Sequence, residues 1–131
     1  MADWQPREGA TLLMPSGTHG HHLFVVLNDP RPLPGYGNNP HVVLVNLSTV
    51  REGITHDATC VLPKGCHAFV KQESFVYYRG ARIESVDHVQ RLVRQGVFKP
   101  HDPIPAEIVA EIKAGLKRSP FAKREFKGLR I

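Results

Sequence analysis

A chain of 131 residues, 41% hydrophobic and 22% charged, is long enough to bury a core as one domain, 1–131, and excludes the disordered, collagenous and disulfide-stapled classes. No apolar run approaches the ~18 residues that span a bilayer, and the opening MADWQPREG has neither part of a signal peptide, so a cytoplasmic location without a membrane partner is expected. A net charge of +5 points to an acidic partner rather than an acidic function, and it is concentrated at one end of the chain.

Residues 8–15 (EGATLLMP) predict a short strand that Pro15 stops, because proline has no N–H to give to a ladder. The glycines of 16–20 (SGTHG) predict a turn. Two apolar runs, 23–27 (LFVVL) and 42–47 (VVLVNL), have the composition of strands buried on both faces or lining a small barrel. Paired antiparallel, they bring His21 and His22, before the first run, towards Ser48 and Thr49, after the second. Imidazoles beside hydroxyls at one rim can do acid–base chemistry, and they can equally be ordinary polar residues at strand ends. Extended backbone points His21 and His22 to opposite faces, and parity alone does not choose between them.

The intervening 28–40 (NDPRPLPGYGNNP) must be a long surface loop. Arg31, Tyr36, Asn38 and Asn39 offer a cation, an aromatic face and amides suited to unpaired bases, the plainer reading being a merely ordered loop. After the second run, 51–57 (REGITHD) predicts a turn. There Arg51 can stabilise charge and His56-Asp57 forms a second polar cluster. Asp57 either orients a histidine, as carboxylates do in other hydrolases, or bonds its own backbone.

Short strands are predicted over 58–62, 67–70 and 74–78, with Pro63-Lys64-Gly65 as a turn and Arg79-Gly80 as a break before 81–83. His67 and one of Tyr77 and Tyr78 are rim candidates, alternation sending the other tyrosine to the core. No long amphipathic helix interrupts this region. The expectation is therefore a mainly β protein with C-terminal helices, its small antiparallel barrel over about 9–83.

Helical spacing follows over 84–118. Ser85 can cap a helix that Gly96 stops, and a second near 105–117 carries Ile108, Val109, Ile112 and Leu116 on one side. Residues 119–131 read as a basic tail: from Lys113 onward the cations, Lys117 and Arg118 among them, face a single acid, Glu125. Such a tail suits RNA phosphates or only solubility.

Cys60 and Cys66 lack the C-x-x-C spacing of redox or zinc sites and read as reduced thiols; nothing around either marks a nucleophile. Eight histidines invite a metal, but His19, His21 and His22 have no downstream pair to complete a tetrahedral site, so neither metal nor cofactor is expected.

Assembled in order, GATLLMP, the polar turn SGTHGHH, LFVVLND, the corner VVLVNLST, the VLPKG element and SFVYYRGARIESVDHVQRL resemble the PemK/MazF family of toxins over roughly residues 9–93. The resemblance implies an SH3-like barrel, usually a homodimer. It implies a metal-independent endoribonuclease that cleaves single-stranded RNA by acid–base catalysis and is silenced by an antitoxin protein. Family members commonly use an arginine just before the second strand and a Thr/Ser corner; here His21 and His22 stand at the arginine position, and Ser48-Thr49 forms the corner without its proline. Either a histidine has taken over that chemistry or the chain cleaves nothing. The candidate catalytic set is thus His21, His22, Ser48, Thr49, Arg51, His56 and Asp57, and the candidate RNA-binding set Arg31, Tyr36, Asn38, His67, Lys117 and Arg118. The rival is a non-catalytic SH3-like module that binds nucleic acid or a protein partner.

Overall fold

Every residue of 23–27 is buried because the strand that carries it has a core on each face. The computed structural model describes residues 4–15 and 20–131. The predicted turn at 16–20 and His19 lie, apart from Gly20, outside the described residues. The strands are β1 (Thr11–Pro15), β2 (His21–Val26), β3 (His41–Thr49), β4 (Val61–Leu62), β5 (Ser74–Ser85) and β6 (Lys99–His101). The helices are α1 (Val86–Arg94), α2 (Ala106–Arg118) and α3 (Arg124–Lys127). The strands form one curled, antiparallel, six-stranded sheet in the order β4-β5-β3-β2-β1-β6, a half-barrel with β4 and β6 at its edges.

Alternation along β2 and β3 divides the apolar residues between two clusters. Leu23, Val25, Val43, Val45 and Leu47 pack with Val109, Ile112 and Leu116 of α2 and Phe126 of α3. Phe24, Val26, Val42 and Leu44 pack on the other face with Leu12, Met14, Val89 of α1 and Phe98. At about 1.5–3 kcal/mol for each large side chain taken out of water, both faces contribute to stability, and neither layer of helices is dispensable.

The curl comes from β5, which runs unbroken through Arg79-Gly80 rather than stopping there. Its register against β3 shifts between Leu44↔Arg82 and Asn46↔Tyr77, so Val45 faces the stretch 78–81. Surplus residues on one strand bend it and tighten its twist. A Cβ at Gly80 would lie 2.6 Å from the Tyr77 ring, so glycine lets that ring fold back over the bulge. On the inner face Tyr78 donates to the Ile112 carbonyl at 2.7 Å. A Cβ at Gly115 would meet the same phenol, with Tyr78 Cζ only 2.8 Å away. Burial pushes the Tyr78 hydroxyl far above its ordinary pKa, with the neighbouring Cys60 adding to the shift, so it remains a donor.

α1 begins as expected, with Ser85 accepting from the His88 N–H, and ends before Gly96, whose φ of 77° suits the helix stop. Three expectations are corrected. Residues 67–70 form turns, not a strand, held by Val70 N–H to His67 O and Gly65 N–H to Val70 O, both 2.9 Å. Residues 99–101 add an unforeseen edge strand on β1, in which Pro100 is tolerated because an edge leaves one side of the ladder unused. Residues 119–131 are no solvated tail: Ala122, Phe126 and Leu129 are buried in the α2 core. No helix among the described residues is long and apolar enough to cross a membrane.

Candidate functional site

The sheet splits at the end where the histidines lie. β2 pairs with β3 only as far as Phe24↔Asn46. β2 then continues with β1 to Pro15↔His21, and β3 continues with β5 to Thr49↔Ser74. Residues 21–23 and 47–49 therefore part company, and a cleft of about 560 Å³ opens between them. His21, His22, Ser48, Thr49, Arg51 and His56 all line it.

Parity gives the two histidines different company. His21 shares a face with Leu23 and Val25, and Thr49 shares one with Leu47, all of these apolar residues belonging to one cluster. His22 falls on the Phe24 face. Ser48 is engaged by Asn46, whose side-chain amide donates to its Oγ at 3.4 Å. His56 stands against Phe75, the ring centroids 5.0 Å apart and tilted by 32°.

The far wall was not legible in advance. Phe69, Val70 and Lys71 come from the turns after β4, and Ile54, Thr55, Ser74 and Phe75 complete the lining. The register Thr49↔Ser74 is the signal that could have found them, since it sets the residues before β5 beside the Ser48-Thr49 corner. Among the described residues no Asp or Glu lines the cleft, and neither Arg51 nor Lys71 has an acidic partner. The described lining thus holds two cationic side chains and no carboxylate, a set suited to an anion.

Asp57 does not face this cleft as an orienting carboxylate. Its Oδ1 accepts from Thr59 N–H at 2.9 Å and Thr59 Oγ1 at 2.5 Å, and its Oδ2 from Ser119 Oγ at 2.6 Å. Burial works to raise the Asp57 carboxyl, but the Ser119 and Thr59 hydrogen bonds together outweigh it, and nearby His56 adds to them, so the group is held below its ordinary value. Asp57 is thus an anchor for the His56 loop.

His67 is not at the rim either. It is buried, its Nε2 2.6 Å from the Asp102 carbonyl and its Nδ1 accepting from Phe69 N–H at 3.0 Å. With Nδ1 accepting from a backbone N–H, Nε2 is left to donate to the Asp102 carbonyl, so both ring nitrogens are engaged. The ring pins the turn that carries Phe69 and Lys71 to the cleft wall.

The 28–40 loop joins the opposite ends of β2 and β3, roughly 20 Å along the strands from the histidines at ~3.3 Å per residue. Its Arg31 pairs with His41 in an isolated bridge, Leu33 is buried, and Tyr36 donates to Glu125 at 3.1 Å. Asn38 is exposed but shares the loop's remote position. Lys117 Nζ donates to the Lys127 and Leu129 carbonyls, and Arg118 Nη2 reaches the Thr59 carbonyl at 3.4 Å. Arg31, Tyr36, Asn38, His67, Lys117 and Arg118 therefore do not line the cleft. Both thiols are raised, Cys60 and Cys66 alike by burial, the opposite of what activates a nucleophile. Among the described residues no group of three or more His, Cys, Asp or Glu is placed to hold a metal ion.

Compared with models of protein families, with curated proteins and with solved structures, the chain matches none.

Proposed function

We propose that the cleft cleaves single-stranded RNA by metal-independent internal transphosphorylation, in a toxin held in check by an antitoxin protein and working as a homodimer. The observation that carries the chemical part is one cleft whose described lining holds three histidines, two cations and several hydroxyls and no acid. The biological setting and the SH3-like description of the half-barrel rest on the resemblance alone.

The reaction needs a base, an acid and donors for the phosphorane oxygens. One imidazole takes the proton of the 2′-hydroxyl; the freed oxygen attacks the adjacent phosphorus and forms the O2′–P bond. A second imidazole, protonated, gives its proton to the departing 5′-oxygen as the P–O5′ bond breaks. The products carry a 2′,3′-cyclic phosphate and a 5′-hydroxyl. His21 and His56 are assigned as this pair, His21 because it shares the face of Thr49, and His56 because its loop is anchored through Asp57. Arg51 and Lys71 neutralise the phosphate; a charge pair at 4 Å gains roughly 4 kcal/mol at the effective dielectric of a protein surface. Thr49 Oγ1 donates to a non-bridging oxygen.

The test is incubation of clean protein with single-stranded RNA of varied sequence, scoring cleavage and product ends. His21→Ala and His56→Ala should each lower turnover by on the order of 10²–10⁴. Protein that binds RNA tightly and never cuts it would replace this reading with the non-catalytic binding module.

A further inference from the structure

We infer that an aromatic hollow beside the cleft, between Tyr77 and Phe121, seats one unpaired base of the RNA strand; this rests on the RNA reading of the cleft and extends it. The hollow has a volume of about 240 Å³ and shares Thr55, His56 and Phe75 with the cleft, so the two spaces lie side by side against one wall. A strand whose phosphate lies against Arg51 and Lys71 would meet this second space across the shared wall of His56 and Phe75.

The lining is built for a flat, apolar ring with a polar rim. Tyr77 is 39% exposed and Phe121 43%, so both rings present open surface to the hollow. Phe75 meets Tyr77 edge-on, centroids 6.5 Å apart at 80°, while the Arg79 guanidinium lies 5.0 Å from the Phe121 centroid. The Tyr77 ring owes its place to Gly80, where any Cβ would strike it. Aromatic faces and a guanidinium plane are the surfaces on which unpaired bases stack. The one acid present, Asp57, has both oxygens engaged by Thr59 and Ser119.

An apolar peptide would also stack on aromatics, but it would not engage the adjoining cleft, whose described lining holds Arg51 and Lys71 and no acid. An RNA strand occupies both spaces with one ligand. Phe121 lies beyond the stretch that resembles the toxin family, so this seat belongs to this chain's own C-terminal segment.

The experiment is fluorescence anisotropy with a labelled single-stranded oligoribonucleotide and an abasic oligomer carrying the same number of phosphates. Phe121→Ala, with Phe121→Leu and Tyr77→Ala beside it, should weaken binding of the base-bearing strand about tenfold, the scale of one base stacked on an aromatic ring. Binding of the abasic strand should stay within about twofold, with the salt slope unchanged, because phosphate contacts set that slope. Val97→Ala, another exposed apolar residue outside the hollow, should change neither. Equal losses on both strands, no loss on either, or no binding of either strand by the wild type would overturn the base seat. Base-dependent binding without any cleavage would keep the seat and reject the ribonuclease reading; cleavage with Phe121→Ala binding both strands as the wild type does would reject the seat and keep the ribonuclease.

Discussion

Ser119 Oγ donates to Asp57 Oδ2 at 2.6 Å, tying the end of α2 to the loop that carries His56 into the cleft. The two residues are far apart in sequence, and both are buried. The helix layer thus reaches the candidate chemistry through one charge-assisted hydrogen bond rather than through the tail's positive charge.

Asp57→Asn should destabilise the fold by about 2–3 kcal/mol at neutral pH, since hydrogen bonds to a charged group are the strong ones. The sign in pH follows from the lowered carboxyl. Its stabilisation is fully present above the ordinary carboxylate pKa, about 4, and is lost as pH falls through the lower folded value. Denaturant unfolding of wild type and variant from pH 7 downward should show the gap narrowing below about pH 4. A gap that widens on acidification would place the carboxyl's shift in the opposite direction.

Residues 119–131 should be needed for folding. Phe126 and Leu129 share the cluster of Ile112 and Leu116, and truncating a buried phenylalanine costs about 3–5 kcal/mol. Phe126→Ala should lower the urea midpoint accordingly, and deletion after Arg118 should give an unfolded or aggregated product by circular dichroism. A truncated chain that melts like the full one would show that this segment only rests on the surface.

Gly115→Ala should cost about 1–3 kcal/mol, an overpacking penalty, because the added methyl meets the Tyr78 phenol. Tyr78→Phe alone loses the bond to the Ile112 carbonyl and costs about 1 kcal/mol. The double variant should be more stable than the sum of the two losses implies, since removing the hydroxyl takes away the nearest of the methyl's contacts and leaves the approach to the ring, with Cζ at 2.8 Å. Strict additivity in urea titrations would mean that α2 shifts away instead.

The sequence carried the local rules well. Ser85 capped its helix, Gly96 stopped it, and the two apolar runs became the central strands with His21 and Thr49 at one end. Period and cap chemistry act over a few residues, so they are readable there. Contacts across long separations were not. Nothing near Asp57 announces Ser119, nothing near His67 announces the Asp102 carbonyl, and a basic count over 113–131 hid the apolar positions Ala122, Phe126 and Leu129. The remoteness of Arg31, Tyr36 and Asn38 was in fact implicit: a loop joining two antiparallel strands lies opposite their free ends, where the histidines were already placed.

The last prediction concerns the histidines of the cleft and follows from the proposed ribonuclease chemistry. An arginine stabilises developing phosphorane charge at every physiological pH because it does not deprotonate, whereas imidazole changes charge around neutrality. With one imidazole as base and another as acid, turnover should be bell-shaped in pH. Arg51→Ala should lower turnover without moving either limb, because the guanidinium stays charged throughout, while His21→Ala and His56→Ala should each remove one limb along with most of the rate. Chelator should leave the rate unchanged, because every step is assigned to a side chain of the cleft. A pH-flat or chelator-sensitive nuclease, or one whose products end in 5′-phosphate, would sink the paired-histidine mechanism.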